Sequence, residues 1–460
     1  MYIKTVEIEN IRSIQKFKMH FEKPAGWHVI IADNGAGKST LIRSIAATLI
    51  GPNQITAILP VWEEWLSKDK NTGKVHLEIE PNWDVDAQSG SGRPVKSNIS
   101  NKFNFKRDSK LGTVSLSTNA KQSKMSPTKY NWGTSDGWFS VSYGTFRRFT
   151  GGDEKRNRAF YAAPKAGAHL SAFGEDVALT EALSWLKELD NRRLREEREA
   201  IRDVERSNIS DEKKERVIAV KKQYLVKKLE SSKTINSISE FINKSSLLPH
   251  GAQFDGFDLD GNLIFIDGRG NPVPVVEMSD GYRSVLSMIF ELIRQMIATY
   301  GIDKVFEHVT QGNIEIPVQG VVMIDEADAH LHPSWQTRIG EWFTKYFPNI
   351  QFIITTHSPL ICRSAEKGTI WRLATPGKEE EAGEVIGVER ERLIHGNILD
   401  AYGTELFGQS PVVRTQKSED KKKRLGILNA KLAFDKITDE ENQERIKLSK
   451  TLSTDDPTGF

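Results

Sequence analysis

The sequence ADNGAGKS at residues 32–39 constrains this chain more than any other feature. A largely apolar run at residues 27–31 precedes it, and apolar residues at helical spacing follow it, which predicts a buried strand, a glycine-rich turn and an amphipathic helix. In that context backbone N–H groups can turn towards phosphate oxygens, and the helix start adds partial positive charge. Lys38 supplies a point charge for the terminal phosphates, and the Ser39 hydroxyl can bind Mg²⁺. The segment therefore predicts an ATP site formed by Asn34, Gly35, Ala36, Gly37, Lys38, Ser39 and Thr40.

The loop departs from the usual glycine-rich pattern at one position, because Ala32 stands where the first glycine is expected. Alanine does not freely adopt a positive φ. We therefore expect the chain to enter the loop with ordinary backbone angles.

Two further motifs follow predicted strands later in the chain. Residues 321–324 are apolar and lead directly into Asp325 and Glu326. One carboxylate can hold Mg²⁺ through its water shell, while the other orients and deprotonates an attacking water. The next predicted strand ends at His357, where a histidine can contact the γ-phosphate. We therefore predict Ser39 and Asp325 as metal ligands, and Glu326 and His357 as catalytic residues.

Residues 278–284, with the sequence MSDGYRS, lie at the start of a strongly apolar predicted helix. Taken alone, Ser279-Asp280-Gly281 is an N-cap and a turn. Its position between the glycine-rich loop and the paired carboxylates acquires a further meaning only through the family resemblance described below.

Two polar clusters could be taken for metal sites, but each has a simpler explanation. For the cluster just after the paired carboxylates a third metal ligand is not evident, and the family resemblance described below implies a loop that contacts a second subunit. The other cluster lies in a predicted β-hairpin, where turn aspartates accept backbone hydrogen bonds. The clusters are Asp328, His330 and His332, and Asp258, Asp260 and Asp267.

The composition is that of a soluble globular protein, with 38% hydrophobic and 27% charged residues. A formal net charge of +2 predicts neither a nucleic-acid binder nor a partner of acidic proteins. The single cysteine, Cys362, excludes an internal disulfide framework and suits a reducing compartment. No apolar run is long enough to span a bilayer, so we expect a cytoplasmic protein without a membrane partner.

Together with Arg12 in the opening segment NIRS, these motifs resemble the RecF/SMC/OLD-like branch of ABC ATPases. Three further features are similar to ATPases of bacterial antiphage systems: YGTFRR at 143–148, the predicted helix with Trp335-Gln336, and FPNIQF at 347–352. The PtuA ATPases of Septu systems are the nearest resemblance, and those of PARIS systems come next. Asp280 and Tyr282 depart from the ABC signature, which usually has a glycine and a glutamine or glutamate there.

The resemblance implies an α/β fold of the ABC P-loop ATPase type, with an inserted helical hairpin and a helical C-terminal tail. We expect an ATPase lobe at residues 1–177 with the P-loop and an inserted loop region, notably 86–135. A coiled-coil-like insertion follows at 178–245, broken at 208–211. The second lobe, with signature, paired carboxylates and His357, spans 246–408, and the charged tail spans 409–460.

The resemblance also implies a function. The chain would be an ATP- and Mg²⁺-dependent hydrolase, slow or regulated, in which Arg12 approaches the phosphates. Ser279 and Gly281 would complete the site of a second copy in a head-to-tail dimer or higher oligomer. The residues after His357 contain no Asp-x-Asp pair, so we expect a separate nuclease or toxin effector, regulated in antiphage defence.

An alternative of another class is a RecF-like, ATP-dependent DNA-binding clamp in DNA repair. The Lys- and Arg-rich hairpin and tail would then contact DNA phosphates, and binding would weaken steeply with salt. The evenly mixed charges of residues 192–230 count against this alternative.

Overall fold

The computed structural model describes twelve ranges of the chain, which together hold every element discussed below. The chain divides into two compact units, Met1–Ala401 and Tyr402–Phe460. The ranges are 1–59, 61–86, 97–119, 126–132, 138–147, 164–174, 179–248, 251–310, 312–375, 382–396, 416–434 and 436–452.

The described strands all lie in the first unit, and the helices occur in both units. The strands are β1 (Tyr2–Ile11), β2 (Ile14–His20), β3 (Gly26–Ile31), β4 (Thr72–Glu80), β5 (Ile99–Arg107), β6 (Val114–Thr118), β7 (Ser140–Tyr143), β8 (Gln253–Phe257), β9 (Leu263–Ile266), β10 (Pro272–Pro274), β11 (Gly320–Ile324), β12 (Ile350–Thr356), β13 (Ile370–Arg372) and β14 (Gly383–Glu384). The helices are α1 (Lys38–Ile50), α2 (Pro52–Ile58), α3 (Pro127–Tyr130), α4 (Pro164–His169), α5 (Thr180–Glu205), α6 (Asp211–Lys228), α7 (Glu230–Lys244), α8 (Asp280–Tyr300), α9 (Ile302–Val305), α10 (Glu307–Thr310), α11 (Pro333–Gln336), α12 (Ile339–Tyr346), α13 (Pro359–Cys362), α14 (Gly387–His395), α15 (Gln416–Ala433) and α16 (Asp439–Leu452).

A six-stranded sheet with the order β14-β13-β3-β12-β11-β7 organises the first unit. All of its pairings are parallel except that of β13 with β14. Strands β3, β11 and β12 are buried along their whole length, as expected for parallel strands covered on both faces. Their carboxyl ends lie at one edge, because Ile324 stands opposite both Ile354 and Tyr143. The residues that follow these strands therefore meet at that edge.

Helix α1 lies between this sheet and a second, antiparallel sheet with the order β2-β1-β4-β5-β6. The sequence predicts an apolar stripe on one face of α1, but the structure also buries Ser44 and Thr48. Thr48 satisfies its hydroxyl by donating to the Ser44 carbonyl at 2.8 Å. The helix is buried on both sides because sheets cover both of its faces, and this fixes the position of its N-terminus.

The stretch 86–135, predicted as a loop region, contains two regular strands. In β5 the buried positions alternate with exposed Lys102, Asn104 and Lys106. The polar residues of β5 led to the prediction of a loop. Their alternation with buried residues is nevertheless typical of a half-buried strand. Asn101 is buried and donates to the Thr48 carbonyl at 3.2 Å, so even an inward polar residue is satisfied.

The helical insertion begins with α5 and α6, which are antiparallel. Lys221 on α6 donates to the Ala200 carbonyl on α5 at 2.9 Å, while Ser231 at the start of α7 bonds Glu196. The predicted break is confirmed, since α5 ends at Glu205 and α6 starts at Asp211. The α/β class with an inserted helical hairpin is confirmed as well.

Strands β8, β9 and β10 form a small antiparallel sheet of their own. Asp258 accepts from the backbone N–H groups of Asp260 and Asn262, and Asp267 accepts from those of Arg269 and Asn271. These hydrogen bonds lower the pKa of both carboxyl groups. The aspartates are turn residues, as predicted.

The second unit contains α15 and α16, which pack on each other through Arg424–Glu444 and Lys431–Glu441 ion pairs. The expected tail starts at residue 409, which lies outside the described residues. The four expected domain boundaries stay a prediction. None of the helices described here is both long enough and apolar enough to cross a membrane.

Candidate nucleotide site

The glycine-rich loop connects β3 to α1 at the carboxyl edge of the parallel sheet. Gly35 and Gly37 have φ angles of 78° and 105°. A Cβ at Gly37 would lie 2.8 Å from both the Ser13 Oγ and the Ile14 Cγ1. Ala32 does not have a positive φ, as expected for alanine. The loop can therefore present backbone N–H groups on a concave surface only because these two positions are glycine.

Lys38 starts α1, and its ammonium group folds back over the loop. The Nζ atom donates to the Ala32 carbonyl at 2.8 Å and to the Asp33 carbonyl at 3.1 Å. Only 6% of the residue is exposed, and burial lowers its pKa, while Glu326, Asp325 and other nearby carboxylates raise it. The cation therefore lies within the field of the paired acids, as a phosphate-binding lysine needs.

The paired acids lie at the end of β11 and are fixed by Thr355 on the adjacent β12. The Thr355 hydroxyl donates to the Asp325 Oδ1 at 2.5 Å and accepts from the Glu326 N–H at 2.8 Å. Glu326 has a φ of 47°, which turns the chain sharply after the strand. Asp325 is 4% exposed, whereas the side chain of Glu326 is half-buried. The two acids thus have different environments in spite of being neighbours.

His357 lies directly after β12, between the P-loop and the acids. Its Nδ1 atom is 3.4 Å from the Lys38 Nζ, and its backbone N–H donates to the Asp328 Oδ1 at 3.2 Å. Burial, and next the positive charge of Lys38, lower the pKa of His357. The imidazole is therefore neutral at pH 7, with Nδ1 facing the ammonium group as an acceptor.

The cluster of Asp328, His330 and His332 is not assembled as a metal site. Asp328 accepts from the Thr356 hydroxyl at 2.5 Å, and His332 caps α11 by accepting from the Ser334 N–H. Within the described ranges, no three His, Cys, Asp or Glu side chains are arranged to hold a metal.

Arg12 lies in the turn between β1 and β2, beside the P-loop helix. Its guanidinium lies over the Trp65 ring, 5.3 Å from the centroid, and Nε donates to the Glu64 carbonyl at 3.3 Å. Burial lowers the pKa of Arg12, and the nearby Arg43 of α1 adds to this. The following residue, Ser13, is the one that faces Gly37. The structure thus places Arg12 next to the loop.

Ser279 and Gly281 lie at the start of α8, where a Cβ at Gly281 would be 2.8 Å from the His330 carbonyl. Ser279 is the exposed N-cap, and its carbonyl accepts from the Arg283 N–H at 3.0 Å. Both residues line an open cleft of about 1400 Å³ together with His330 and Trp335. The P-loop residues, Asp325, Glu326 and His357 do not line that cleft. The structure therefore brings the P-loop, the acids and His357 together, whereas Ser279 and Gly281 line a cleft to which these residues do not contribute.

Arg147, which the sequence did not single out as a site residue, lies beneath the acids. It follows β7, is 3% exposed, and donates to the backbone carbonyls of Asp325 and Glu326 at 2.8 and 3.1 Å. The only available signal was the YGTFRR segment after a predicted strand, and Arg148 of that segment lies outside the described residues.

The donor atoms at this edge fit Mg²⁺. Asp325 supplies a carboxylate and Ser39 a hydroxyl, which are the hard oxygen donors that Mg²⁺ prefers. Mg²⁺ usually combines one or two such ligands with phosphate oxygens and water. Because Asp325 acts on the charge of Lys38, it lies close to the position that phosphates would occupy above the loop.

Replacing Thr355 with valine is expected to destabilise the protein by about 1–3 kcal/mol, because the Glu326 N–H and Asp325 Oδ1 both lose their partner. The two side chains have the same shape, so packing changes little. The urea midpoint measures the effect. Thr344→Val is the matched control, since its hydroxyl donates within α12 to the Gly340 carbonyl, and a change within about 0.5 kcal/mol is expected there. Equal midpoints for the two variants would contradict the prediction.

Comparison with known proteins gives matches over most of the chain. Residues 153–363 match the family described as "AAA domain, putative AbiEii toxin, Type IV TA system". The Septu protein PtuA of Bacillus mycoides (strain KBAB4) is 22% identical in an alignment of 456 positions that covers 93% of this chain and 50% of that protein. The "Retron Ec83 probable ATPase" of Escherichia coli is 35% identical over 112 residues, 24% of this chain and 19% of that protein. The chain is similar in sequence to these Septu and retron proteins.

The expected likeness to the Septu ATPases is therefore confirmed. The chain spans no more than half the length of these curated relatives. A solved structure, the Smc head domain with an extended coiled coil bound to the C-terminal domain of ScpA, derived from Pyrococcus furiosus, matches with a TM-score of 0.45. That match is 16% identical and covers 85% of this chain and 97% of the solved chain.

Proposed function

We propose that this chain is an ABC-type ATPase whose nucleotide state regulates a separate nuclease or toxin effector in antiphage defence. One observation carries the ATPase part of the proposal. Lys38, Asp325, Glu326 and His357 come from three neighbouring strands and meet at one sheet edge, above a glycine loop shaped for phosphate. The relationship to Septu and retron proteins supports the defence part.

In the proposed binding step, the P-loop residues 34–40 hold the β- and γ-phosphates through backbone N–H groups and the partial charge of α1. Lys38 releases the Ala32 and Asp33 carbonyls and places its charge between the terminal phosphates. Arg12 approaches the same phosphates from the β1–β2 turn. Ser39 and Asp325 would hold Mg²⁺, which would supply positive charge to offset that of the phosphates.

In the proposed hydrolysis step, Glu326 accepts a proton from the attacking water. Its side chain is half-buried, and its backbone N–H and carbonyl are bound by Thr355 and Arg147, which fixes the backbone that carries the carboxylate. Neutral His357 can donate from Nε2 to the γ-phosphate while Nδ1 faces Lys38. The site would then respond to whether the γ-phosphate is present.

The exposed position of Ser279 supports a head-to-tail dimer. A serine at the N-terminus of the long helix α8 can bind phosphate, but it lies on a surface apart from its own P-loop. In the proposed dimer, Ser279 and Gly281 of one copy therefore meet the γ-phosphate held by the other copy. ATP would bind the closed assembly more tightly than the open monomers and so act as a conformational ligand.

The helical hairpin and the C-terminal helices are the proposed surfaces for the effector. Several charges of the hairpin are paired within it, as in Arg192–Glu188, Arg193–Asp190 and Arg216–Glu212. Such internal pairing leaves little net positive charge for DNA phosphates. We therefore favour a protein partner over a DNA clamp.

Ser279→Arg is expected to prevent the ATP-dependent dimer while ATP binding to the monomer stays unchanged. The larger cation occupies the space that the partner's phosphate and P-loop would need. Analytical ultracentrifugation of the variant in a Glu326→Gln background, with and without ATP, measures the effect.

Ser210→Arg is the matched control, because Ser210 is also exposed and its carbonyl accepts from the N–H of Lys214 at the start of α6. Its dimer should form normally. An ATP-driven dimer that persists in Ser279→Arg would refute the trans arrangement.

The effector is tested by purifying tagged Glu326→Gln and Lys38→Ala proteins from the native host, each with ATP. A stoichiometric second polypeptide with nuclease or toxin chemistry, retained differently by the two variants, is the expected result. Recovery of the chain with nuclease-sensitive DNA and no second polypeptide would instead support the clamp.

A further inference from the structure

We infer that Arg147 is a positioning residue that joins two elements. One is the turn after β11, residues 325–330, which we call the acidic turn of one nucleotide site; the other is the helix that carries Ser279. Through this link, closure around ATP at one site would be transmitted to the phosphate contact that the same copy makes in the other site. The inference rests on the proposed function and adds a specific coupling element to it.

All five N–H groups of the Arg147 side chain have partners. The NH1 nitrogen donates to the carbonyls of Gly144 and Asp325 at 3.0 and 2.8 Å, and NH2 donates to those of Glu326 and Ala329 at 3.1 and 3.4 Å. The Nε atom donates to the Ser284 hydroxyl at 3.4 Å. Five donors in a rigid plane are specific to arginine, so no other side chain can make this set of contacts.

The contacts hold a turn that is unfavourable by itself. Glu326 adopts a φ of 47°, in the left-handed region that non-glycine residues rarely occupy. Arg147 binds the carbonyls on both sides of that residue and one on Ala329 further along the turn. A buried cation attracts four aligned carbonyl dipoles and so stabilises the conformation that positions the proposed base.

The same side chain reaches α8. Ser284 lies on the buried face of that helix, just over one turn after Ser279, and Ser287 donates to the Arg147 carbonyl at 3.5 Å. A second contact joins the same two elements, since a Cβ at Gly281 would lie 2.8 Å from the His330 carbonyl. A displacement of the acidic turn would therefore also displace the start of α8.

The charge of Arg147 persists at neutral pH. Burial lowers its pKa to about 10, while the carboxylates of Asp325, Asp328 and Glu326 raise it. The side chain has its five hydrogen bonds to neutral oxygens rather than to these carboxylates. The carboxyl groups of Asp325 and Glu326 therefore stay available for metal and water, which a direct arginine–carboxylate pair would prevent.

Arg147→Lys keeps the charge but offers three donors without the planar fork. ATP affinity of the monomer is expected to stay within about threefold of the parent, because Arg147 does not contact the P-loop. The turnover number should fall by about tenfold or more, because the base is no longer held in place. The ATP-driven dimer, measured in the Glu326→Gln background, should weaken by about tenfold.

Arg390→Lys is the matched control. Arg390 also donates to three backbone carbonyls, those of Ala365, Glu366 and Gly368, but near the amino end of β3, away from the site. Its turnover and dimerisation should match the parent. If Arg147 had a merely structural role, Arg147→Lys would lower stability as Arg390→Lys does, and it would not lower turnover while leaving ATP affinity unchanged.

Ser284→Ala removes only the link from Nε to α8 and leaves the four carbonyl contacts. Dimerisation is expected to weaken by about threefold or more with unchanged monomer affinity, and this variant decides the outcome if Arg147→Lys does not fold. The inference is overturned if a folded Arg147→Lys protein turns over ATP and dimerises like the parent. If only Ser284→Ala folds, turnover and dimerisation at the parent level in that variant overturn it. A parent protein that binds no ATP would instead overturn the proposed function itself.

Discussion

The Lys38→Ala protein is expected to bind ATP at least about 100-fold more weakly than the parent, a loss of about 2.8 kcal/mol of binding free energy. The Lys38 ammonium group donates to the Ala32 and Asp33 carbonyls of the loop, and the negative charges of Glu326 and Asp325 stabilise its protonated form. Without it, the phosphate charge would face those carboxylates uncompensated. Isothermal titration calorimetry with ATP and Mg²⁺ measures the change.

The matched control is Lys221→Ala. Its ammonium group also donates to a backbone carbonyl, that of Ala200, but it lies in the helical insertion. Circular dichroism should show that both variants are folded. If the Lys38 variant binds ATP as tightly as the control, the P-loop is not the nucleotide site.

The second large effect is expected from Glu326→Gln, whose turnover number should be at least about 100-fold lower than that of the parent. Glutamine keeps the size and the backbone contacts of Glu326 to Thr355 and Arg147, but it cannot accept a proton from water. ATP should remain bound, and the ATP-dependent dimer should accumulate because its decay through hydrolysis is blocked. Single-turnover hydrolysis and ultracentrifugation measure the two results.

Glu389→Gln, an exposed change at the start of α14, serves as the control for this prediction. It should leave turnover and assembly unchanged. Hydrolysis by Glu326→Gln at the rate of that control would mean that another group removes the proton.

Much of the candidate site was predictable because its residues come in short, contiguous motifs. The glycine loop, the paired acids after β11 and the histidine after β12 each follow an apolar run that forms a buried strand. Parallel strands end at one edge, so the order of the motifs implied that Lys38, Asp325 and His357 would meet. The 3.4 Å separation between Lys38 and His357 is in keeping with that expectation.

Strand β5 and Arg147 show where sequence patterns failed. The alternation of β5 was hidden by polar residues on its exposed face and by the buried Asn101, which is satisfied by α1. Arg147 was quoted only as part of a resemblance, because an arginine after a strand is ordinarily a surface residue. Its importance comes from partners at residues 284, 325, 326 and 329, which are distant in sequence.

The sequence by itself determined the local chemistry: a glycine loop that can turn, a lysine and a serine at a helix start, and two adjacent acids after a buried strand. These features depend on neighbouring residues, whose propensities and spacing are visible along the chain. Only the tertiary structure decided that Ser279 lies on a separate cleft, that α1 is buried between two sheets, and that Arg147 holds the acidic turn. The physical reason is that such arrangements depend on hydrogen bonds and packing between segments far apart in the chain, and no local pattern records them.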